Sequence, residues 1–165
     1  LLPGVIPEVP GLRIAASYET FDRAGGDIYG FYPLGRPPLP GCDEPPPPDA
    51  PWAILIGDVS GHGPAAAVVM AMLHAILEAY PTRPERPSEV LLHANRHLVA
   101  KQIEASFVTA FLAFYDPAAR TLTYSAAGHP PPLWRRRRAD GELEVRALDA
   151  VLGFPLGVVC DAAYH

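Results

Sequence analysis

The sequence predicts an α+β fold, in which antiparallel strands form sheets that pack against helices. Three observations support this class. The segment "SFVTAFLAFYD" (106–116) is apolar on both faces, which is typical of a strand buried between two layers. The segments 64–80 and 89–103 have the length and apolar pattern of helices. Asp140 and Gly141, between two short strand-like segments, form a strong hairpin signal.

The composition is that of one globular domain. The chain has 165 residues and is 49% hydrophobic, enough to bury a sizeable core. Its net charge of -5 gives no electrostatic reason to expect nucleic acid or an anionic membrane as a partner. Cys42 and Cys160 lack metal-ligand spacing, and no apolar run approaches the roughly 20 residues of a membrane span. We therefore expect a cytoplasmic domain, whose parent protein could be tethered to a membrane through another domain.

The first third of the chain predicts two strands and a long connection. We expect strands at 12–19 and 25–34, the second entered through two glycines. From residue 33 to residue 51 the sequence is too rich in proline for a helix or a central strand. The insert at about 36–51 is interpreted as a stiff spacer that joins two strands of a hairpin, with a proline-rich docking motif as the alternative.

The next segment, "AILIGDVSGHGPAAAVVMAML", places an acid where a strand gives way to a helix. A buried strand is predicted at 52–58, so that Asp58 lies at its end. Gly61 and Gly63 allow a tight backbone path, and Pro64 suits the first position of a helix over 64–80. An acid at such a strand end often takes part in chemistry.

The second helix is predicted over 89–103, with Ser88 as its N-cap. His93 and His97 are four residues apart and could share a metal ion. At about 100° per residue, however, they point away from the apolar face, so that a solvated face is the favoured interpretation.

The last third predicts a strand at 120–128 and then a hairpin formed by "LWRRRR" and "ELEVRAL". The arginines 135–138 fall on this hairpin. We expect them to be a solvated strand edge that discourages pairing with other strands, with a partner contact as the alternative.

Two aspartates occur in the same local setting, Asp27 after two glycines and Asp58 after Gly57. If adjacent strands bring them together, the two like charges repel unless one is protonated or a cation lies between them. Hard oxygen ligands of this kind suit Mg²⁺ or Mn²⁺. The alternative for either residue alone is a turn or cap aspartate.

Four motifs together resemble a known family. "AGGDIYGFYPL", "ILIGDVSGHGPAAAVVMAML", "SFVTAFLAFYDPAARTLTYSAAGHPPPL" and "LGFPLGV" have the order and spacing of the SpoIIE/RsbU-type serine phosphatase domain, a branch of the metal-dependent, phosphatase 2C-like superfamily. The resemblance implies an αββα sandwich of two packed antiparallel sheets flanked by helices. It also implies hydrolysis of phosphoserine or phosphothreonine on a phosphorylated regulatory protein, such as an anti-sigma-factor antagonist of the STAS type.

The resemblance also assigns residues. Asp27 and Asp58 would bridge two Mn²⁺ or Mg²⁺ ions, and Val59 would offer its backbone carbonyl as a further ligand. These ions activate a water molecule for attack on phosphorus. His62, in the glycine turn, would protonate the leaving oxygen, with a solvent-exposed turn histidine as the alternative.

The chain departs from the family pattern at two places. Gly30 stands where the family usually has an acid. The family also continues past the "LGV" segment to a "TDG" motif whose aspartate binds metal, and neither Asp149 nor Asp161 matches that motif. We therefore expect residues 1–165 to be a single, C-terminally incomplete phosphatase domain of a longer protein that carries a sensor or signalling module.

Two other functions are weighed against the phosphatase. One is a catalytically inactive family member that acts as a signalling binding module, which the missing third acid favours. The other is a structural metal-binding domain of unrelated fold, which the four linked motifs argue against. The oligomeric state is left open, with a homodimer among the alternatives.

Overall fold

The computed structural model describes residues 2–19, 25–34, 47, 49–80, 84–101 and 106–165. Within these residues there are two antiparallel sheets and two helices, so the predicted α+β class is confirmed. A four-stranded sheet has the order β1-β2-β3-β4, and β5 and β6 form a separate two-stranded sheet. The elements are β1 (Asp27–Pro33), β2 (Trp52–Val59), α1 (Pro64–Glu78), α2 (Pro87–Ala100), β3 (Val108–Asp116), β4 (Thr121–Ala127), β5 (Leu133–Arg137) and β6 (Leu143–Ala147).

The main core lies between one face of the large sheet and the two helices. Because side chains alternate along a strand, every second residue of β1, β2 and β3 points to this face. The sheet contributes Ile28, Leu55 and Leu112, and the helices contribute Leu73 and Leu91. All five are at most 2% exposed, which makes this layer the main source of hydrophobic stabilisation.

The other face of the sheet is partly covered by the N-terminal segment. Val9 packs with Trp52 and Tyr115, and Leu12 and Ile14 pack against the same cluster. The predicted strand at 12–19 is wrong, because these residues form no ladder with the sheet. Their apolar side chains lie on the face of the sheet, so the alternation that predicted a strand reflects packing and not strand pairing.

The helix boundaries follow local backbone rules. Helix α1 begins at Pro64, as predicted, directly after Gly63 at φ 79°. The prediction that Ser88 caps the second helix is wrong, because α2 begins at Pro87 and its N-cap is Arg86. Glu89 accepts hydrogen bonds from the backbone N–H groups of Glu85 at 3.2 Å and Arg86 at 3.4 Å, which satisfies the helix start without a serine. None of the helices in the described parts of the chain is long and apolar enough to cross a membrane.

Strands β1 and β2 form an antiparallel pair, and the proline-rich insert connects the end of β1 to the start of β2. Pro33 lies opposite Trp52, and the N–H of Leu34 donates to the carbonyl of Pro51 at 2.7 Å. The insert therefore joins the two strands of a hairpin, as predicted. Most of the segment 36–51, including the whole of 36–46, lies outside the described residues.

The hairpin of β5 and β6 turns at Gly141, whose φ is 89°. All five residues of β5 are exposed, which agrees with the predicted solvated edge. The side chain of Arg136 donates to Glu144 at 2.7 Å and lies 4.8 Å from the ring centroid of Trp134. Arg146 makes a second ion pair with Glu144.

A buried asparagine links α2 to the segment after β6. Asn95 is 0% exposed. Its side chain accepts a hydrogen bond from the N–H of Gly157 at 2.9 Å and donates to the carbonyl of Val159 at 2.8 Å. Next to it, Leu156 and Val108 exchange two backbone hydrogen bonds. Asn95 therefore anchors this segment to α2, and the Leu156–Val108 pair attaches it to the start of β3.

We predict that Asn95→Ala lowers the free energy of unfolding by about 2 to 4 kcal/mol, because two partly buried backbone groups lose their partner and the buried amide side chain is removed. Arg96→Ala is the matched control, since Arg96 is exposed on the same helix and should change stability by less than about 0.5 kcal/mol. Urea denaturation of the variants measures both values. Equal stability of the two variants would contradict the anchoring role.

Candidate functional site

Three polar side chains lie side by side at one end of the large sheet. In the antiparallel register, Asp27 of β1 lies opposite Asp58 of β2, and Asp58 lies opposite Thr109 of β3. Ile28 and Val59, which neighbour these aspartates in sequence, point to the helix-covered face. The row Asp27–Asp58–Thr109 therefore lies on the opposite face, where the sheet is not covered by the helices.

The two carboxylates are close enough to influence each other. Partial burial raises the pKa of Asp58, and the neighbouring charge and hydrogen-bonding contact of Asp27 raise it further. His129 acts in the opposite direction on the same carboxyl group. Sharing of a proton between the two aspartates, or a cation between them, relieves this repulsion.

A backbone carbonyl lies beside this pair. The N–H of Val59 donates to the carbonyl of Gly26 at 3.1 Å, which holds the two strand ends together. A Cβ atom added to Gly26 would lie 2.7 Å from the carbonyl oxygen of Val59 and 3.4 Å from Oδ1 of Asp58. The glycine therefore keeps open a space bounded by these two oxygens.

These donors fit a divalent cation. Two carboxylates and a carbonyl oxygen are the hard ligands that Mg²⁺ and Mn²⁺ prefer, and a cation would offset the repulsion between the aspartates. Over the part of the chain that the structure describes, no group of three or more His, Cys, Asp or Glu side chains is placed to hold a metal. Asp149 and Asp161 are exposed residues of the segment after β6. The side-chain ligands brought together are thus Asp27 and Asp58.

His62 lies in the turn between β2 and α1 and is exposed. Its neighbours Gly61 and Gly63 have φ values of 89° and 79°, which explains the two glycines. The turn begins at Ser60, whose N–H donates to the carbonyl of Phe107 and whose hydroxyl accepts from the N–H of Phe107, both at 2.9 Å. His62 is thus open to solvent, and its role as a proton donor stays a prediction.

Two residues of the site were not identified from the sequence. Thr109 Oγ1 lies 2.9 Å from Nδ1 of His129 and 3.4 Å from the backbone carbonyl oxygen of Asp58. Partial burial lowers the pKa of His129, while the charges of Asp58 and Asp27 act to raise it. The available signals were a polar residue at the start of an apolar strand and a histidine directly after Gly128 in the "AGHPPPL" motif.

Gly30 lies on the other side of the sheet from the aspartates. Gly30 is three residues after Asp27 in β1, so the two residues point to opposite faces. A Cβ added to Gly30 would collide with the ring of Tyr32. The hydroxyl of Tyr32 lies 3.4 Å from Nδ1 of His74. Burial, and to a smaller extent the charge of Glu78, raises the pKa of Tyr32 to about 12. An acid at position 30 would therefore not join Asp27 and Asp58 on their face.

The two histidines of α2 lie ring to ring. The rings of His93 and His97 have centroids 4.4 Å apart, and that of His93 is 5.1 Å from the ring of Tyr80. His97 is exposed, as expected for a solvated face, whereas His93 is half-buried. Partial burial and the neighbouring His97 lower the pKa of His93.

Solved structures share this fold. The crystal structure of the RsbU and RsbW domains of Rv1364c from Mycobacterium tuberculosis has a TM-score of 0.63 and 27% identity, covering 89% of this chain and 37% of that chain. The crystal structure of RsbX in complex with magnesium has a TM-score of 0.51 and 18% identity, covering 86% of this chain and 59% of that one. The chain therefore shares the fold of these bacterial RsbU- and RsbX-type structures.

Residues 48–165 match the family model described as Stage II sporulation protein E (SpoIIE). The phosphoserine phosphatase RsbU of Bacillus subtilis (strain 168) is 35% identical over 154 residues, covering 93% of this chain and 42% of that protein. The chain belongs to the SpoIIE family. It spans about two fifths of the length of this relative.

We predict that Gly26→Ala weakens Mn²⁺ affinity at least about tenfold, because the new Cβ occupies the space beside the Val59 carbonyl. Gly4→Ala is the matched control, since a Cβ at Gly4 meets no atom within 4 Å. Calorimetric titration with Mn²⁺ measures the affinities, and circular dichroism checks the fold. Unchanged Mn²⁺ affinity in a folded Gly26→Ala variant would place the metal elsewhere.

Proposed function

We propose that this domain is part of a metal-dependent phosphatase that hydrolyses phosphoserine or phosphothreonine on a regulatory protein. The observation that carries the proposal is the pairing of Asp27 with Asp58 across β1 and β2, beside the carbonyl of Val59. Membership of the SpoIIE family and the similarity to RsbU, a phosphoserine phosphatase, support it.

The residues of the chain have distinct tasks in this proposal. Asp27, Asp58 and the Val59 carbonyl would hold the divalent ions, of which the proposed reaction uses two. When bound, such ions supply an activated water nucleophile and offset the charge on the phosphoryl oxygens. The Gly61–Gly63 turn lets backbone and phosphate approach closely, and His62 protonates the leaving serine or threonine oxygen. Mg²⁺ and Mn²⁺ both suit this donor set, and magnesium is the ion in the structure of RsbX.

The substrate in this proposal is a protein. The side chains of Asp27 and Asp58 are exposed at neighbouring strand ends, where the surface of another protein can reach them. The solved Rv1364c structure combines RsbU and RsbW domains, which supports a regulatory protein as the partner. The finer proposal is a phosphorylated antagonist of the STAS type, with a sensor or signalling domain in the same parent chain. Cys160 is a free, exposed thiol, which suits the cytoplasm as the proposed compartment.

A non-catalytic binding module is the second candidate. It is favoured by one observation: the described residues bring only two side-chain carboxylates together at the candidate site, with no group of three metal-binding side chains. A module of this kind would bind the same phosphorylated partner and release no phosphate. Turnover in the presence of a divalent ion separates the two candidates.

We predict that the full-length protein hydrolyses a phosphoserine peptide only when Mn²⁺ or Mg²⁺ is supplied. Asp58→Asn should reduce the rate at least about 100-fold, because it removes the charge of a ligand at almost constant shape. Asp149→Asn is the matched control, since Asp149 is exposed and lies outside the row of aspartates. Phosphate release is the measurement. Activity that persists in EDTA, or an Asp58→Asn enzyme of normal rate, would exclude the metal mechanism.

We also predict a preference for protein substrates. A phosphorylated STAS-type protein should be hydrolysed with a higher kcat/KM than sugar phosphates or nucleotides, because binding energy from the protein surface adds to that of the phosphoryl group. Steady-state kinetics on both substrate classes test this. Equal or faster hydrolysis of the small metabolites would point to a different substrate.

A further inference from the structure

Phe107 is an exposed aromatic residue directly before β3, on the face of the sheet that carries the aspartates. Its neighbour Val108 is 0% exposed and belongs to the core beneath the helices. Because neighbouring residues of a strand point to opposite faces, Phe107 points to the same face as Thr109 and Asp58. Phe107 is nevertheless 40% exposed, so that an apolar ring meets solvent beside the candidate site.

The backbone of Phe107 is held from both sides. Its N–H donates to the hydroxyl of Ser60 and its carbonyl accepts from the N–H of Ser60, both at 2.9 Å. One residue later, the N–H of Val108 donates to the carbonyl of Leu156 at 3.0 Å, and the N–H of Leu156 donates back at 2.8 Å. The ring therefore projects from a fixed backbone, which lowers the entropy cost of using it as a binding contact.

Small residues on either side leave the ring uncovered. Ser60 lies opposite Phe107 on the β2 side. On the other side, Gly157 follows Leu156, and an added Cβ at Gly157 would lie 3.6 Å from the carbonyl oxygen of Ser106. Neither a serine nor a glycine is large enough to cover an aromatic ring. The exposure of Phe107 thus follows from the residues that flank it.

The ring lies within reach of a peptide bound at the aspartates. Asp58 lies opposite Thr109, and Phe107 is two residues further along. Diagonal neighbours of this kind are about 7 to 8 Å apart in an antiparallel pair. An extended peptide advances about 3.3 Å per residue, so that a side chain two positions from a phosphoserine at Asp58 spans a similar distance.

Contact between Phe107 and an aliphatic side chain would remove apolar surface of both from water. Building on the function proposed above, we propose that Phe107 binds an aliphatic side chain two positions from the phosphoserine and so selects among protein substrates. Phosphate chemistry at the aspartates does not depend on this contact, which acts on substrate affinity.

Three phosphoserine peptides test this contact with the full-length protein and saturating Mn²⁺. One carries leucine two positions before the phosphoserine, one carries leucine two positions after it, and the third carries glycine at both positions. One of the leucine peptides should have a KM about fivefold or more below that of the glycine peptide. Phe107→Ala should raise the KM of that leucine peptide to the level of the glycine peptide, with kcat changed less than about twofold.

Two variants and a fold measurement serve as controls. Phe107→Leu keeps an apolar side chain and should keep part of the preference. Leu122→Ala should keep all of it, because Leu122 is 44% exposed on the same sheet but lies opposite Tyr115, at the far end from the aspartates. Circular dichroism checks the fold of each variant. The preference of the wild-type protein for a leucine peptide is decisive even where Phe107→Ala does not fold.

Peptides in which a phosphonate replaces the phosphate ester measure binding without turnover. A wild-type protein that prefers neither leucine peptide, or a folded Phe107→Ala variant that keeps the preference, overturns the role of Phe107 even when the protein is an active phosphatase. A wild-type protein that binds one leucine phosphonate more tightly through Phe107, but releases no phosphate from the phosphoserine peptides, keeps this inference and overturns the proposed function.

Discussion

The in-register antiparallel pairing of β1, β2 and β3 is the constraint on which the rest of the site depends. Because successive side chains point to opposite faces, a slip of one residue would move Asp27 or Asp58 into the helix-covered core. The same register sends Ile28, Leu55 and Leu112 into that core. The apolar face and the polar row are therefore set by one pattern of strand pairing, and the hydrophobic layer holds the aspartates in place.

This arrangement places like charges next to each other, and His129 beyond Thr109 offsets them only in part. Burial is the main cause of the raised pKa of Asp58, and the charge of Asp27 is the second. A packed core can tolerate such a local penalty, because folding free energy comes mainly from buried apolar area. A site that is unfavourable when empty is, for the same physical reason, well suited to a divalent cation.

Local rules accounted for much of the fold. The β2–α1 boundary was predicted from Asp58, the two turn glycines and Pro64, and the β5–β6 hairpin from Asp140 and Gly141. These signals act within a few residues, through allowed backbone angles and the period of apolar side chains. The same rules failed for 12–19 and for Ser88. In the first case side-chain packing on a sheet face imitates strand alternation, and in the second a proline at N1 and Glu89 replace the expected cap.

The sequence by itself determined the types of the six strands and two helices that form, the apolar faces and the two aspartates as candidate ligands, because each depends on neighbours along the chain. Only the tertiary structure decided that these aspartates lie opposite each other, that Gly30 faces away from them, and that Thr109 and His129 extend their row. Asn95 likewise meets its partners 62 and 64 residues away. Contacts at such separations arise from strand register and helix packing, which a period of two or 3.6 residues does not encode.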